Sequence, residues 1–236
     1  RAALSLGSFK HLIGPSQNNY AQLSSQMLFR RGEWQFQYMG CRNIANIKKQ
    51  IRTPNDVNGL KVRTIKADVQ IELVKAMGGN PTPISWPEVY TSLATGVVDG
   101  TKNSITDIVR MKFHKHLKHI TSNGHPFMGA LWFFSEARWQ QFPRSHQRIL
   151  FDEFQHLKTT ARAFPMRKQV PAYEDFKKAG GTIYVPTPSE KAAFKTAAAP
   201  VYDWYLNKFG DEWLSIYLKL LNKKNTFQDY ISCAKF

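Results

Sequence analysis

Four residues carry the chemistry for which this sequence is best equipped: Arg63, Asn103, Arg42 and Trp86. Arg63 closes "GLKVR", at the carboxyl end of an expected strand Lys61–Ile65. Strand alternation puts Lys61 and Arg63 on one face and Leu60 and Val62 on the other. A guanidinium in a cleft grips a carboxylate through two parallel hydrogen bonds, which an ammonium cannot reproduce. By sequence alone, an arginine at a strand end is usually a solvated surface residue. Arg42, in "GCRN" and a basic neighbourhood, admits the same two readings. Asn103 lies just past an expected short strand Val97–Gly100. Its amide can donate to a carboxylate oxygen and accept from a hydroxyl or amine; the alternative is a turn-forming asparagine after Gly100. Trp86 sits in "SWPE", where Ser85 and Glu88 have the form of a capping box. It either walls a pocket or fills the core. Asp99 reads as a structural turn acid.

Other chemistries find less support. "HKHLKH" holds His114, His116 and His119, and on a strand the first two would share a face. No carboxylate lies close in sequence, and Lys115 and Lys118 would repel a cation, so no metal is assigned. His125, before Pro126, reads as structural. No Ser-His-Asp set, glycine-rich phosphate loop or H-E-x-x-H is present, and no catalytic residue is assigned. Cys41 and Cys233 match no metal spacing; whether they pair stays open, isolated pairs more often remaining free.

Positioning these side chains takes alternating elements. "EWQFQYMG" alternates as a strand, and a helix is expected from about Tyr20 to Phe29. "RTPNDVNGLKVRTI" gives a short turn of helix after Thr53-Pro54, ended by Gly59, and then the Lys61–Ile65 strand. "ADVQIELVKAMGGNP" is an amphipathic helix closed by Gly78-Gly79, and "SWPE" opens the helix before Asn103. This α/β rhythm implies parallel pairing. It is the setting in which ligands collect beyond the carboxyl ends of strands. Further on, "GALWFFS" reads as a buried strand. Ser145 to about Lys178 reads as a very long helix that Pro165 and Pro171 should kink. "GGTIYVP" is a strand, "TPSEKAAFKTAAAPVYDWYLNKFG" a helix boxed by Thr187 and Glu190, and Asp211 to about Leu221 a final helix.

Bulk properties set limits. At 236 residues, 42% hydrophobic, the chain can bury a real core as one or two domains. No apolar run of 18 residues is present to span a membrane. The chain begins at Arg1 with no leader pattern, so any signal peptide would already have been removed. There are 33 Lys+Arg against 17 Asp+Glu, a formal charge of +16. The cations are scattered in ones and twos without a recognition motif, so specific nucleic-acid binding is not expected. Anionic small molecules explain part of the charge equally well.

Taken in order, "GCRNIANIKKQIRTPNDVNGLKVRT" and "AMGGNPTPISWPEVYTSLATGVVDGTKNS" resemble the solute-binding proteins of tripartite ATP-independent periplasmic (TRAP) transporters. The resemblance implies a two-lobed α/β fold with a long kinked helix spanning the lobes. Its lobes close on a small organic acid, which is delivered in the periplasm to membrane-embedded transporter subunits, with no cofactor and no catalysis. Arg63 matches the arginine that clamps the ligand carboxylate, Arg42 an accessory arginine, Asn103 a ligand asparagine and Trp86 an aromatic against the ligand. Only 39 residues precede Gly40, where the family has a further βαβ region, so part of the first lobe is expected to be missing. On this basis residues 1–66 would be a remnant of the first lobe with its crossover, 67–144 the second lobe, and 145–236 the spine helix and carboxyl-terminal helices. The rival readings are an enzyme on a similar two-lobed fold and a truncated homologue that no longer binds.

Overall fold

The computed structural model describes residues 36–125, 127–131, 136–212 and 214–215. The expected helix around Tyr20 and most of the final one lie outside them, as do the last four residues of "GALWFFS". The strands are β1 (Phe36–Cys41), β2 (Asn43–Asn46), β3 (Lys61–Thr64), β4 (Asn80–Pro83), β5 (Gly100–Asn103), β6 (His119–Thr121), β7 (Phe127–Leu131) and β8 (Thr182–Tyr184). The helices are α1 (Asp68–Ala76), α2 (Val89–Ala94), α3 (Ile105–Arg110), α4 (Glu136–Gln140), α5 (Arg144–Lys178), α6 (Pro188–Ala197) and α7 (Pro200–Phe209). The chain divides into two compact units, one of residues 1–39 and 128–167, the other of 40–127 and 168–236. Helix α5 is long and kinked, and it contributes residues 144–167 to the first unit and 168–178 to the second.

β1 and β7 pair in a two-stranded sheet, while the second unit is built on six strands in the order β4-β3-β5-β2-β6-β8. β3 is parallel to β4 and β5, and β6 to β8; β2 runs antiparallel to both β5 and β6. Helices cover both faces. On one, Ala45 and Ile120 meet Val89 and Leu93 of α2, Ile105 and Ile108 of α3, and Ala172 and Phe176 of α5. On the other, Ile44 and Val62 meet Val74 of α1 and Phe194 of α6. A sheet buried on both sides shows no in/out alternation. That is why "NIAN", buried at all four positions, gave no strand signal in the sequence. Strand "NPTP" tolerates two prolines because β4 is an edge strand.

The expected strand Val97–Gly100 is displaced. Helix α2 ends at Ala94, the chain turns at Gly96, whose φ of +72° suits glycine, and Val97 is 50% exposed. Pairing begins only at Gly100, so β5 is "GTKN" and Asn103 is its last residue, not the residue after it. Asp99 fixes the entry: its carboxylate accepts the Lys61 backbone N–H at 2.8 Å and pairs with Lys48 Nζ at 2.9 Å. The Thr187–Glu190 box forms as expected. At "SWPE" the Ser85 side chain makes no cap, and Trp86–Glu88 is a short 3-10 turn. Cys41 is disulfide-bonded, where the sequence left the question open.

Gly100 marks the tightest approach in the sheet. A Cβ there would lie 2.4 Å from the Ala45 carbonyl oxygen and 2.9 Å from the Asn46 Cβ. Gly100→Ala should therefore cost about 1–3 kcal/mol, since backbone on the facing strand must shift. Urea denaturation measures this; a midpoint equal to that of wild type would show that β2 and β5 are not held this closely.

Candidate functional site

Because β3, β4, β5, β6 and β8 are parallel and β2 runs against them, one end of the sheet gathers five strand carboxyl ends and the start of β2. Arg42, Arg63, Trp86 and Asn103 all come to that end, within the second unit. Arg63 pairs in register with Thr101, and Asn43 with Asn103. Neighbours in register point to the same side, so Arg63, Thr101, Asn103 and Asn43 share one face. Asn103 lies two residues beyond Arg63's partner, roughly 7 Å farther toward the mouth.

Arg63 is 3% exposed. Its Nε donates to the Ile84 carbonyl at 2.9 Å, and its guanidinium centre sits 5.5 Å from the Trp86 ring. Phe113 braces that ring edge-on at 5.4 Å. Trp86 thus belongs to the core and at the same time offers its face to the cation, so the two readings of it are joined. With Nε tied to backbone, the two terminal nitrogens form the fork available to a carboxylate. The Asn103 Oδ1 accepts the Thr101 hydroxyl at 2.7 Å, which leaves the amide NH₂ as its donor. Asn43 is held by Tyr173 of α5 at 3.4 Å and by the Gly124 N–H at 3.3 Å.

The electrostatics come from positive charge removed from water. Burial, and then the Arg42 charge, draws the Arg63 guanidinium down to about 10. Burial lowers Arg42 as well, with the Asp107 carboxylate opposing. Lys102 is 2% exposed; burial, then Arg42 and Arg63, bring its ammonium down to about 7. Its Nζ donates to the Gln70 side-chain and backbone oxygens at 3.0 and 3.3 Å. His125 is held well below its usual range by burial, then by Lys102 and Arg42.

Lys102, Asn43, Tyr173 and His125 had not been singled out as site residues. A lysine one position before Asn103, in a strand four residues long, was the available signal; placing the strand too early hid it. Tyr173 lies 130 residues from Asn43, a pairing that only the fold reveals. The histidines disperse: His114 is in a 3-10 turn and His116 at its end, edge-to-face with Tyr90, while His119 bonds Thr182. Among the described residues no cluster of His, Cys, Asp or Glu could hold a metal.

Above pH 7 the unfolded chain keeps a proton on Lys102 that the folded chain releases, so stability rises with pH. The slope reaches roughly 1.4 kcal/mol per unit until about pH 10. Lys102→Met should flatten this rise and stabilise the chain near neutrality, because it removes a buried charge at similar volume. Urea denaturation at pH 7, 8 and 9 reads the slopes; identical slopes in both proteins would mean that Lys102 is solvated.

Comparison with known proteins places this arrangement. The family model described as bacterial extracellular solute-binding protein, family 7, matches residues 22–208. A solute-binding protein of Verminephrobacter eiseniae is 32% identical over 72% of this chain and 50% of its own length. Among solved structures, a TRAP periplasmic solute-binding protein from a Sulfitobacter species with bound β-D-galacturonate aligns at 27% identity and a TM-score of 0.71. That match covers 75% of this chain and 58% of the other. Another, from Desulfovibrio salexigens with bound orotic acid, aligns at 28% identity and 0.72, covering 78% and 60%. The chain spans about half the length of the curated relatives it matches. Over the part it spans, motif order, sheet and family model agree, and the chain belongs to the bacterial extracellular solute-binding proteins of family 7.

Proposed function

We propose that this chain is a periplasmic solute-binding protein that captures a small organic acid by its carboxylate. It would hand the acid to membrane-embedded subunits of a TRAP transporter. The observation that carries the reading is Arg63: a desolvated guanidinium with its Nε on backbone and one side on Trp86, on the same face of the sheet as Asn103. A buried cation needs an anion, and a carboxylate meets the fork with matched geometry. The ligands named for two structural relatives, galacturonate and orotic acid, both carry a carboxylate. Arg42 adds positive potential, and Trp86 keeps water off the pair.

A catalytic reading has less to work with. Among the described residues the titratable groups at this end include the cations Arg42, Arg63 and Lys102, a neutral His125, and Asp107, whose carboxylate acts on Arg42; the surplus is positive and favours an anion. Among the described residues no helix is long and apolar enough to cross a membrane.

Arg63→Lys should fail almost as badly as Arg63→Ala. If the site needs the planar fork, either change strands a desolvated carboxylate, costing on the order of 2–5 kcal/mol. That is roughly 30-fold to several-thousand-fold in affinity. A thermal-shift screen of organic acids finds the ligand, and isothermal titration compares the three proteins at one salt concentration. A lysine variant within a few-fold of wild type would show that Arg63 supplies field and not a clamp. No acid raising the midpoint of wild type would remove the reading itself.

A further inference from the structure

Lys102 is next to Asn103 in β5, yet its side chain leaves by the opposite face of the sheet. Its register partner is Ile44, which belongs to the α1-covered core, and Gln70 of α1 receives its ammonium. Both hydrogen-bond acceptors are neutral oxygens, so one N–H remains beyond them. Among the described residues no carboxylate forms an ion pair with Lys102. The charged neighbours within electrostatic reach are Arg42, before β2, and Arg63, on β3; His125, after β6, feels Lys102 in turn. The charged groups of α1 are engaged elsewhere: Asp68 with Lys208 of α7, and Glu72 with Lys75. Asp107 of α3 acts on Arg42 and pairs with Arg110. The hydroxyl of Thr64, on β3 and on the same face as Lys102, is buried without a partner. So is Nε2 of His125, whose Nδ1 bonds Asn123. Among the described residues, therefore, Lys102 is enclosed by groups that pair its ammonium with no negative charge.

We propose that the bound acid itself supplies the missing counter-charge, so that ligand binding is coupled to uptake of a proton by Lys102. This rests on the reading that Arg63 and Asn103 hold a carboxylate. Lys102 does not touch the ligand in this scheme; it acts through the sheet, one strand position away, as a conditional charge. Without ligand, burial and two arginines keep its amine near half-protonation at neutral pH. A carboxylate on Arg63 offsets that repulsion, the ammonium becomes the favoured form, and one proton comes from solvent. Affinity is then flat at lower pH. Above about pH 7 it falls, by up to tenfold per unit, because each binding event must find the proton. A carboxylic acid ligand stays ionised throughout, and Arg42 and Arg63 stay charged, so neither produces this dependence. Proton uptake by His125 would appear at the acid end and would survive loss of Lys102.

The test is isothermal titration of the acid found by the thermal-shift screen, at pH 7.5, in phosphate and in Tris, whose ionisation enthalpies differ widely. The expected result for wild type is a buffer-dependent enthalpy corresponding to a fraction of a proton taken up, together with an affinity that falls between pH 7 and 9. Lys102→Met should lose both while still binding. Lys102→Gln, a polar substitute, should match it and guards against a misfolded methionine variant. Binding with equal enthalpy in both buffers, or proton uptake unchanged in both variants, overturns the coupling and leaves the carboxylate reading standing. Absence of binding by wild type to any acid overturns both together.

Discussion

Arg63 is almost wholly removed from water, and a guanidinium in that position has to be held on every side. The backbone of β4 supplies the first hold. Gly78 takes a left-handed φ of +83° and turns the chain out of α1, so that β4 returns parallel to β3. The Ile84 N–H then bonds Thr64, and the Ile84 carbonyl meets Arg63 Nε. The next residues form the 3-10 turn that carries Trp86 over the guanidinium. A single crossover thus delivers both the carbonyl and the aromatic face. Neither group can neutralise the charge; they fix its direction and leave the demand for an anion unmet.

The pleat then separates two kinds of cation at the same end of the sheet. Odd positions of β3 and β5 turn Arg63, Thr101 and Asn103 toward the side covered by α2, α3 and the carboxyl-terminal part of α5. The intervening position turns Lys102 toward α1. Backbone only a few ångströms thick lies between them, so they cannot share a ligand contact but do share an electrostatic field. In the proposed scheme the geometry of one face receives the carboxylate, and the field from the other makes its affinity depend on proton concentration.

Much of this was legible in advance because local patterns and tertiary demands coincide. Lys61–Thr64, the helix closed by Gly78 and the Thr187 box follow from alternation, periodicity and capping, and each stands where expected. Arg63, Asn103, Arg42 and Trp86 were named from the motif order, and the fold brings them to one end of one sheet. Two things were not legible. "NIAN" is buried on both faces and so lacks the alternation that marks a half-buried strand. "GVVDG" offered two valines as a strand, yet Val98 packs in the core from a turn while Val97 is solvent-facing, and the strand is the more polar "GTKN". Burial in the middle of a covered sheet overrode residue preference there. The same displacement concealed Lys102, because a lysine just outside a predicted strand attracts no notice.

The net charge of +16 has a local meaning that its total does not convey. Several acids of the second unit work as acceptors for backbone N–H groups. Asp99 holds the Lys61 N–H at the amino end of β5, Asp56 holds the Arg52 and Thr53 N–H groups, and Glu190 holds the Thr187 N–H. Each is fixed where a chain end or turn has unpaired donors, which is where a carboxylate stabilises most. Strand β5 shows the division within four residues: an acid before its first residue and a base before its last. Of these acids, Asp99 lies at the opposite end of the sheet from Arg42, Arg63 and Lys102, while Asp107, which does act on Arg42, is also paired with Arg110. A surplus scattered along the sequence is thus gathered, as Arg42, Arg63 and Lys102, at the end of the sheet where we propose that an acid binds.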